Sequence, residues 1–332
     1  MKILIIRLSS IGDIILTEPV IRYLQEFYSG CQIDYLTKPQ FTKIVQYFEG
    51  VNNIIPFETY RKMQMLLQDK KYDLLIDLHN KPKTWLVKQF ISARVKVSYQ
   101  KKHLLRRLMI KKLTNQTIDS TLQLYLTIFT RLKIDLQGNY YYPRLNLDLA
   151  DEKTTMVNQL PELKAEKRLI AIFPGANHQT KQYPVDYFAQ FINDLGQDKR
   201  YRFFILGSED DRQLADQLER LCQVKLINWC GRFDLQQLVK VMNEFDVIIT
   251  NDSGPMHITA ALEKNQIAIF GATHPRLGFR PLNDKAIILQ TELPCRPCSL
   301  HGGKQCPQKH FRCMKSITPQ MLKKALLSFY QE

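Results

Sequence analysis

The chain has 332 residues, 45% hydrophobic and 24% charged, the composition of a globular protein long enough for two domains with buried cores. No apolar run approaches the roughly 20 residues that span a bilayer. Arg7 and Asp13 interrupt the short apolar opening and no small-residue cleavage site follows, so a secretory leader is not expected and a cytoplasmic protein is. The formal net charge of +15 is unevenly placed, with 23 Lys and Arg against 12 Asp and Glu in residues 1–150, and 24 against 20 in 151–332.

In chain order, β-branched runs predict strands at 2–7, 32–36, 53–56, 73–77 and 95–98. Helical spacing between them predicts helices at 14–28, 40–48, 60–69 and 82–91. Such alternation is the pattern of parallel βαβ units with helices on both faces of a sheet. Arg94 to Lys112 holds eight basic residues and no acidic one, with Leu104, Leu105, Leu108, Met109 and Leu113 at helical spacing. A basic amphipathic helix is expected there, suited to an anionic partner: a membrane surface, a phosphorylated glycan or nucleic acid. A further helix at 118–132 precedes "IDLQGNYYYPRLNLD", where Gly138 and Pro143 break periodicity and the interdomain linker is expected.

The second half repeats the alternation, with strands at 168–173, 202–206, 225–227, 246–250 and 266–270. Helices are expected at 184–195, 209–221, 234–243, 254–263 and 318–330. In open parallel sheets ligands sit beyond the carboxyl ends of strands, so the loops there are where chemistry belongs.

Three loops carry unusual residues. "SSIGD" follows the first strand, where Asp13 can cap a helix and Gly12 permits close backbone approach. "FPGANHQTKQYP" follows 168–173 and brings Lys181 towards a helix start, within reach of a phosphate. "TNDSGPMHITAAL" follows 246–250; Asp252 or Ser253 would cap its helix, Gly254 admits a ligand, Pro255 suits the first turn and His257 lies one turn in. "FGATHP" adds Gly271 and Thr273 at another strand end. Neither G-x-G-x-x-G nor a P-loop occurs, which argues against a dehydrogenase or a P-loop hydrolase. Each residue also has an ordinary reading, as a cap, a surface lysine or a core histidine.

"MKILIIRLSSIGDIILTEPVI", "FPGANHQTKQYP", "ILGSEDD", "CGRFDLQQLVKVMNEFDVIITNDSGPMHITAAL" and "FGATHP" together resemble, in order, the ADP-heptose:lipopolysaccharide heptosyltransferases of glycosyltransferase family 9. The resemblance implies an α/β GT-B fold, two Rossmann-like domains with parallel sheets facing a central cleft. An acceptor-binding domain is expected at 1–145, a nucleotide-sugar domain at 146–317, and a helix at 318–332 crossing back to the first domain. It further implies an inverting glycosyltransferase with Asp13 as general base. Its donor would meet Lys181, Glu209, Asp252, Ser253, Gly254, His257 and Thr273, with Glu209 on the ribose. The acceptor would meet Ser10, Gly12, Arg94, Lys101, Lys102, Arg106 and Arg107.

The implied partners are an ADP-sugar donor and a phosphorylated, lipid-linked glycan acceptor, with peripheral contact at the inner membrane leaflet. No cofactor, no metal and no nucleic acid are expected, and the chain is expected to be a monomer. A family member using another nucleotide-sugar or glycan acceptor, and a basic nucleic-acid-binding protein, are the alternatives. Cys295, Cys298, Cys306 and Cys313 are spaced C-x2-C-x7-C-x6-C among His301 and His310, which leaves a structural zinc open without committing to one.

Overall fold

The computed structural model describes residues 1–136, 138, 140–149, 160, 164 and 166–330. It divides into two compact units: Met1–His103 with Ser120–Asp151, and Leu104–Asp119 with Glu152–Glu332. The linker expected at 134–148 is described except for residues 137 and 139.

The first unit is built on β1 (Lys2–Ile6), whose Ile3, Leu4, Ile5 and Ile6 are fully buried, as befits a parallel strand covered on both faces. Then follow α1 (Ile11–Ile15), α2 (Glu18–Phe27), β2 (Gln32–Thr37), α3 (Thr42–Val45), β3 (Asn53–Pro56), α4 (Tyr60–Leu67), β4 (Lys71–Asp77), α5 (Pro82–Phe90) and β5 (Ser92–Ser98). The strands are parallel in the order β3-β2-β1-β4-β5. The direction of winding reverses between β1 and β4, and Ile6 is in register with Asp77, so the loops after these two strands leave the sheet side by side. The single helix expected at 14–28 is two helices. Pro19 has no N–H to offer the carbonyl four residues back, and its ring crowds that carbonyl, so the chain turns at Leu16–Thr17 and restarts with Pro19 in the first turn of α2.

The basic stretch 94–112 divides, as the expected strand at 95–98 and the leucine spacing from Leu104 require, into a strand and a helix. Residues up to Ser98 belong to β5, and α6 (His103–Ile110) sits with the second unit. Arg106 and Met109 are buried there, and the Arg106 guanidinium donates to the Leu277 carbonyl at 3.2 Å and stacks over the Phe279 ring. α7 (Thr121–Arg131), capped by the Ser120 hydroxyl, returns to the first unit.

The second unit comprises β6 (Arg168–Phe173), α8 (Val185–Gly196), β7 (Tyr201–Ile205), α9 (Arg212–Leu221), β8 (Ile227–Asn228), α10 (Leu235–Asn243), β9 (Val247–Asn251), α11 (Gly254–Ala261), β10 (Asn265–Phe270), β11 (Ala286–Gln290), α12 (Arg312–Lys315) and α13 (Pro319–Ser328). Its parallel sheet runs β11-β10-β9-β6-β7-β8, reversing between β6 and β9. Phe173 is in register with Thr250, so these two strands also release their loops together. β11 is absent from the sequence reading: it is a five-residue edge strand, and "AIILQ" has no alternation to mark it. The final helix, expected to cross back to the first unit, instead places Leu322, Ala325 and Leu326 in the core of the second. No helix among the described residues is long and apolar enough to cross a membrane.

Candidate active site

At the switch point of the first sheet the chain gathers charge. Ser10, not Asp13, is the N-cap of α1, and Asp13 occupies the third helical position. Its Oδ2 accepts the Ser10 hydroxyl at 3.0 Å and the Ser10 N–H at 3.4 Å. The same oxygen meets Nη2 of Arg7 at 2.5 Å. Arg7 is buried just past β1, donates Nη1 to the Leu78 carbonyl at 2.5 Å and lies near the Tyr125 ring. Burial opposes its charge, but Asp13, Tyr125 and Tyr99 outweigh it and hold the guanidinium above its usual range. The Asp13 side chain stays 24% exposed, open enough to meet a substrate.

The loop after β4 supplies a second tier. Asp77, fully buried, accepts the N–H groups of His79 (2.9 Å) and Asn80 (2.7 Å), the Thr84 hydroxyl (2.9 Å) and the Lys88 ammonium (2.9 Å). It is the staple that fixes "HNKPK" over the sheet end. His79 is buried, its Nδ1 makes no hydrogen bond among the described residues, and it is pushed down to about 3 by burial and then by Arg7, Lys81 and Lys101. It is therefore neutral at physiological pH. Lys101, beyond β5, is pushed down to about 8 by burial, Arg7 and Lys81, against the pull of Asp77 and Asp13.

Of the residues expected to meet an acceptor, Ser10, Gly12 and Lys101 thus belong to the Asp13 cluster. Lys102 is exposed next to Lys101. Arg94 is 84% exposed, 3.9 Å from Asp73 on the amino-terminal half of the sheet, away from the switch point. Arg106 and Arg107 lie on α6 of the second unit, Arg106 consumed by packing. The sequence reading missed Arg7, Asp77, His79 and Lys81; the signal available was "DLHNKPK" at a strand end, polar residues where a loop after a strand was already suspect.

The second unit has its own constellation. Lys181 Nζ pairs with Asp252 Oδ2 at 2.8 Å, and the Thr273 hydroxyl donates to the same oxygen at 2.6 Å. Asp252 and Thr273 are buried. Asn251 locks the loops together: its Oδ1 accepts the Tyr183 N–H at 3.0 Å and its Nδ2 donates to the Pro174 carbonyl at 2.8 Å. Ser253 is the N-cap of α11 and Gly254 its first residue, with the Ser253 hydroxyl donating to the Asn251 carbonyl at 3.3 Å. His257 is buried one turn further. Glu209 stands apart from this group, its two oxygens held by Arg212 at 2.6 Å each, which lowers its carboxyl from the ordinary range. A side chain at Gly231 would collide with that carboxylate, a Cβ falling 2.2 Å from Oε2.

The cysteine-rich segment supports these loops through another residue. Arg296, between the first two cysteines, is buried and donates to the carbonyls of Gly271 (2.5 Å), Thr273 (2.8 Å), Phe270 (3.1 Å) and Thr291. Gly303 donates to the Thr180 hydroxyl at 2.7 Å and accepts the Thr180 N–H at 3.1 Å. Cys295 Sγ is 3.9 Å from His310 Nε2, and Cys298 donates to the Cys295 carbonyl at 3.2 Å. Burial pushes the Cys313 thiol up to about 11 and raises Cys298 as well. Among the described residues no group of three or more His, Cys, Asp or Glu is placed to hold a metal ion.

Two parallel α/β units, each with polar residues gathered where the winding reverses, have the architecture of a GT-B glycosyltransferase. The fold matches that of E. coli ADP-heptose lps heptosyltransferase II, with a TM-score of 0.77 at 24% identity over 99% of this chain and 98% of that one. A family model described as glycosyltransferase family 9 (heptosyltransferase) matches residues 60–311, and the chain belongs to that family. It is 24% identical over 328 residues to lipooligosaccharide heptosyltransferase 2 of Campylobacter jejuni subsp. jejuni serotype O:6 (strain 81116 / NCTC 11828), covering 96% of each. It is 26% identical over 310 residues to lipopolysaccharide heptosyltransferase 2 of Escherichia coli (strain K12), covering 87% of this chain and 88% of the relative.

Proposed function

We propose that this glycosyltransferase moves heptose from ADP-heptose to a lipopolysaccharide inner-core acceptor with inversion, using Asp13 as general base. The observation that carries the reading is the placement of Asp13. A half-open carboxylate stands at the switch point of the first sheet, steered by Ser10 and Arg7 and flanked by the cationic Lys101. Relatives with ADP-heptose and lipopolysaccharide in their names support the choice of donor and acceptor.

A sugar hydroxyl is too weak an acid to ionise alone, so its proton leaves only as the new bond forms. The acceptor oxygen attacks the anomeric carbon, its proton passes to Asp13, and the carbon–phosphate oxygen bond breaks with its electron pair leaving on ADP. Attack opposite the leaving group inverts the centre. Charge then grows on the diphosphate, where Lys181 and the amides at Ser253 and Gly254 are the stabilising groups, with Thr273 holding the Asp252 carboxylate that positions Lys181. Arg7, Lys81 and Lys101 suit an acceptor bearing phosphate or carboxylate.

Asp13→Asn keeps the size of the side chain while removing the base. The expected result is a fall in kcat of about 100-fold or more with ADP affinity held, measured by turnover and calorimetry. Full activity would leave Asp13 only its part in the helix cap. Calorimetry with ADP, UDP and GDP tests the donor: preference for UDP or GDP would keep the transfer chemistry and discard ADP-heptose.

A further inference from the structure

α4 and α5 pack against each other on the first unit. α4 turns Met63 and Leu67 inward, and α5 turns Thr84 and Val87 inward. Their outer surface is unusual for a soluble domain: Met65 is 68% exposed, Trp85 58%, Leu66 48% and Leu86 47%. Scattered single apolar residues need no explanation, but four large ones on two adjacent helices do.

The charge on the same helices is one-sided. Arg61, Lys62 and Lys83 are exposed and neither helix contains an Asp or Glu, although Lys62 is paired with Glu58 just ahead of α4 and Lys88 is turned to the buried Asp77. Lys83 lies 4.7 Å from the centre of the Phe57 ring and 5.9 Å from that of Tyr60, which holds its ammonium at the surface beside the aromatic side chains. Exposed Trp and aliphatic side chains beside lysines and arginines match the interface of an anionic bilayer, where rings settle at headgroup level and cations meet phosphates.

We propose that the α4–α5 face docks this protein on an anionic lipid surface, with Trp85, Leu86, Met65 and Leu66 entering the headgroup boundary and Arg61 and Lys83 pairing with lipid phosphates. A second copy of the chain is the weaker fit, because two such faces meeting about a two-fold axis would set cations against cations. Nucleic acid would satisfy the cations and leave the four apolar side chains in water. The basic helix α6, to which the sequence pointed for this task, has Arg106 and Met109 turned into the second unit. The surface deepens the reading of a lipid-linked acceptor and rests on that reading for its purpose.

The chain has two tryptophans, and Trp229 is buried at 7% exposure, so an environment-dependent change in emission reports on Trp85. Vesicles of phosphatidylcholine with phosphatidylglycerol are expected to shift the emission of the full chain to the blue and to sediment it. Phosphatidylcholine alone should do so weakly, and Trp85→Phe should abolish the shift. Met65→Ser with Leu86→Ser should lower partitioning about tenfold while ADP binding is unchanged. No shift and no sedimentation with anionic vesicles overturns the proposal, as does undiminished partitioning of the double variant. A blue shift without lipid that grows with protein concentration overturns it in favour of self-association. Neither donor nor acceptor enters the assay, so loss of transfer activity and loss of docking are read separately.

Discussion

Arg7 and Asp13 work as one unit, and removing either partner tests what the pair does. Breaking a buried ion pair by deleting one member costs about 3–5 kcal/mol, and the partial exposure of Asp13 should reduce that to about 2 kcal/mol. Arg7→Met is therefore expected to lower Tm and to lower kcat about tenfold or more, while ADP affinity, read from the other unit, stays unchanged. Arg7→Lys should restore part of the rate. A Met variant with normal kcat would mean that Arg7 serves the fold alone. Lys101 gives a second test. Its folded value of about 8 lies below the ordinary 10.5, so between those values the unfolded chain holds a proton that the folded chain has released. Stability from this group therefore rises with pH across that window. Binding of an anion should run the other way, pulling the proton back, so acceptor binding near pH 8 should take up protons and KM should rise above it. Calorimetry in buffers of different ionisation enthalpy measures the uptake, and Lys101→Met should remove it. His79, pushed down to about 3, adds nothing to a profile between pH 5 and 8.

At the scale of elements, the loop at 270–273 shows what holds Thr273 against Asp252. Four carbonyls converge on Arg296. Arg296→Met strips donors from buried carbonyls, each worth about 1–3 kcal/mol, and is expected to lower both Tm and ADP affinity. Cys298→Ser keeps a donor of similar reach to the Cys295 carbonyl and should change both little. The reverse pattern would mean that the thiols, not the arginine, organise the segment. Lys181 needs the same care, because Lys181→Met leaves Asp252 buried with the Thr273 hydroxyl and a neighbour lost. A kinetic defect there counts as a phosphate contact only if Tm falls by no more than Asp252→Asn lowers it. These elements also show what a sequence can declare. Strands such as β1 and β9 are legible because burial on both faces demands an unbroken apolar run. Asp13, Lys181 and Asp252 are legible because loops at strand ends are few and polar residues in them stand out. Arg296 is not, since a lone arginine reads as surface and only the fold shows it beneath converging carbonyls. Arg7 is hidden for the same reason, at the end of a strand whose apolar pattern it terminates.

For the whole molecule, the division of the chain follows packing rather than order. A cut near residue 145 respects the sequence pattern but separates residues 104–119 from the unit that holds them. Within that unit Met109 and Ile118 are buried, the Ile118 N–H donates to the Arg276 carbonyl at 2.9 Å, and Asp119 pairs with Arg280 at 3.0 Å. Periodicity could not reveal this, because helical spacing specifies that a face is buried and not against what. Two buried apolar side chains are worth about 1.5–3 kcal/mol each, so a C-terminal fragment beginning at residue 152 should be roughly 3–6 kcal/mol less stable than one supplied with 104–119. Adding that segment as a synthetic peptide should raise the Tm of the fragment in a concentration-dependent way, since a ligand of the native state stabilises it by mass action. A peptide with Met109→Ser and Ile118→Ser should lose the effect while keeping its positive charge. Equal stabilisation by both peptides would reduce the contact to electrostatics and return the segment to the basic, solvated face that its sequence suggests.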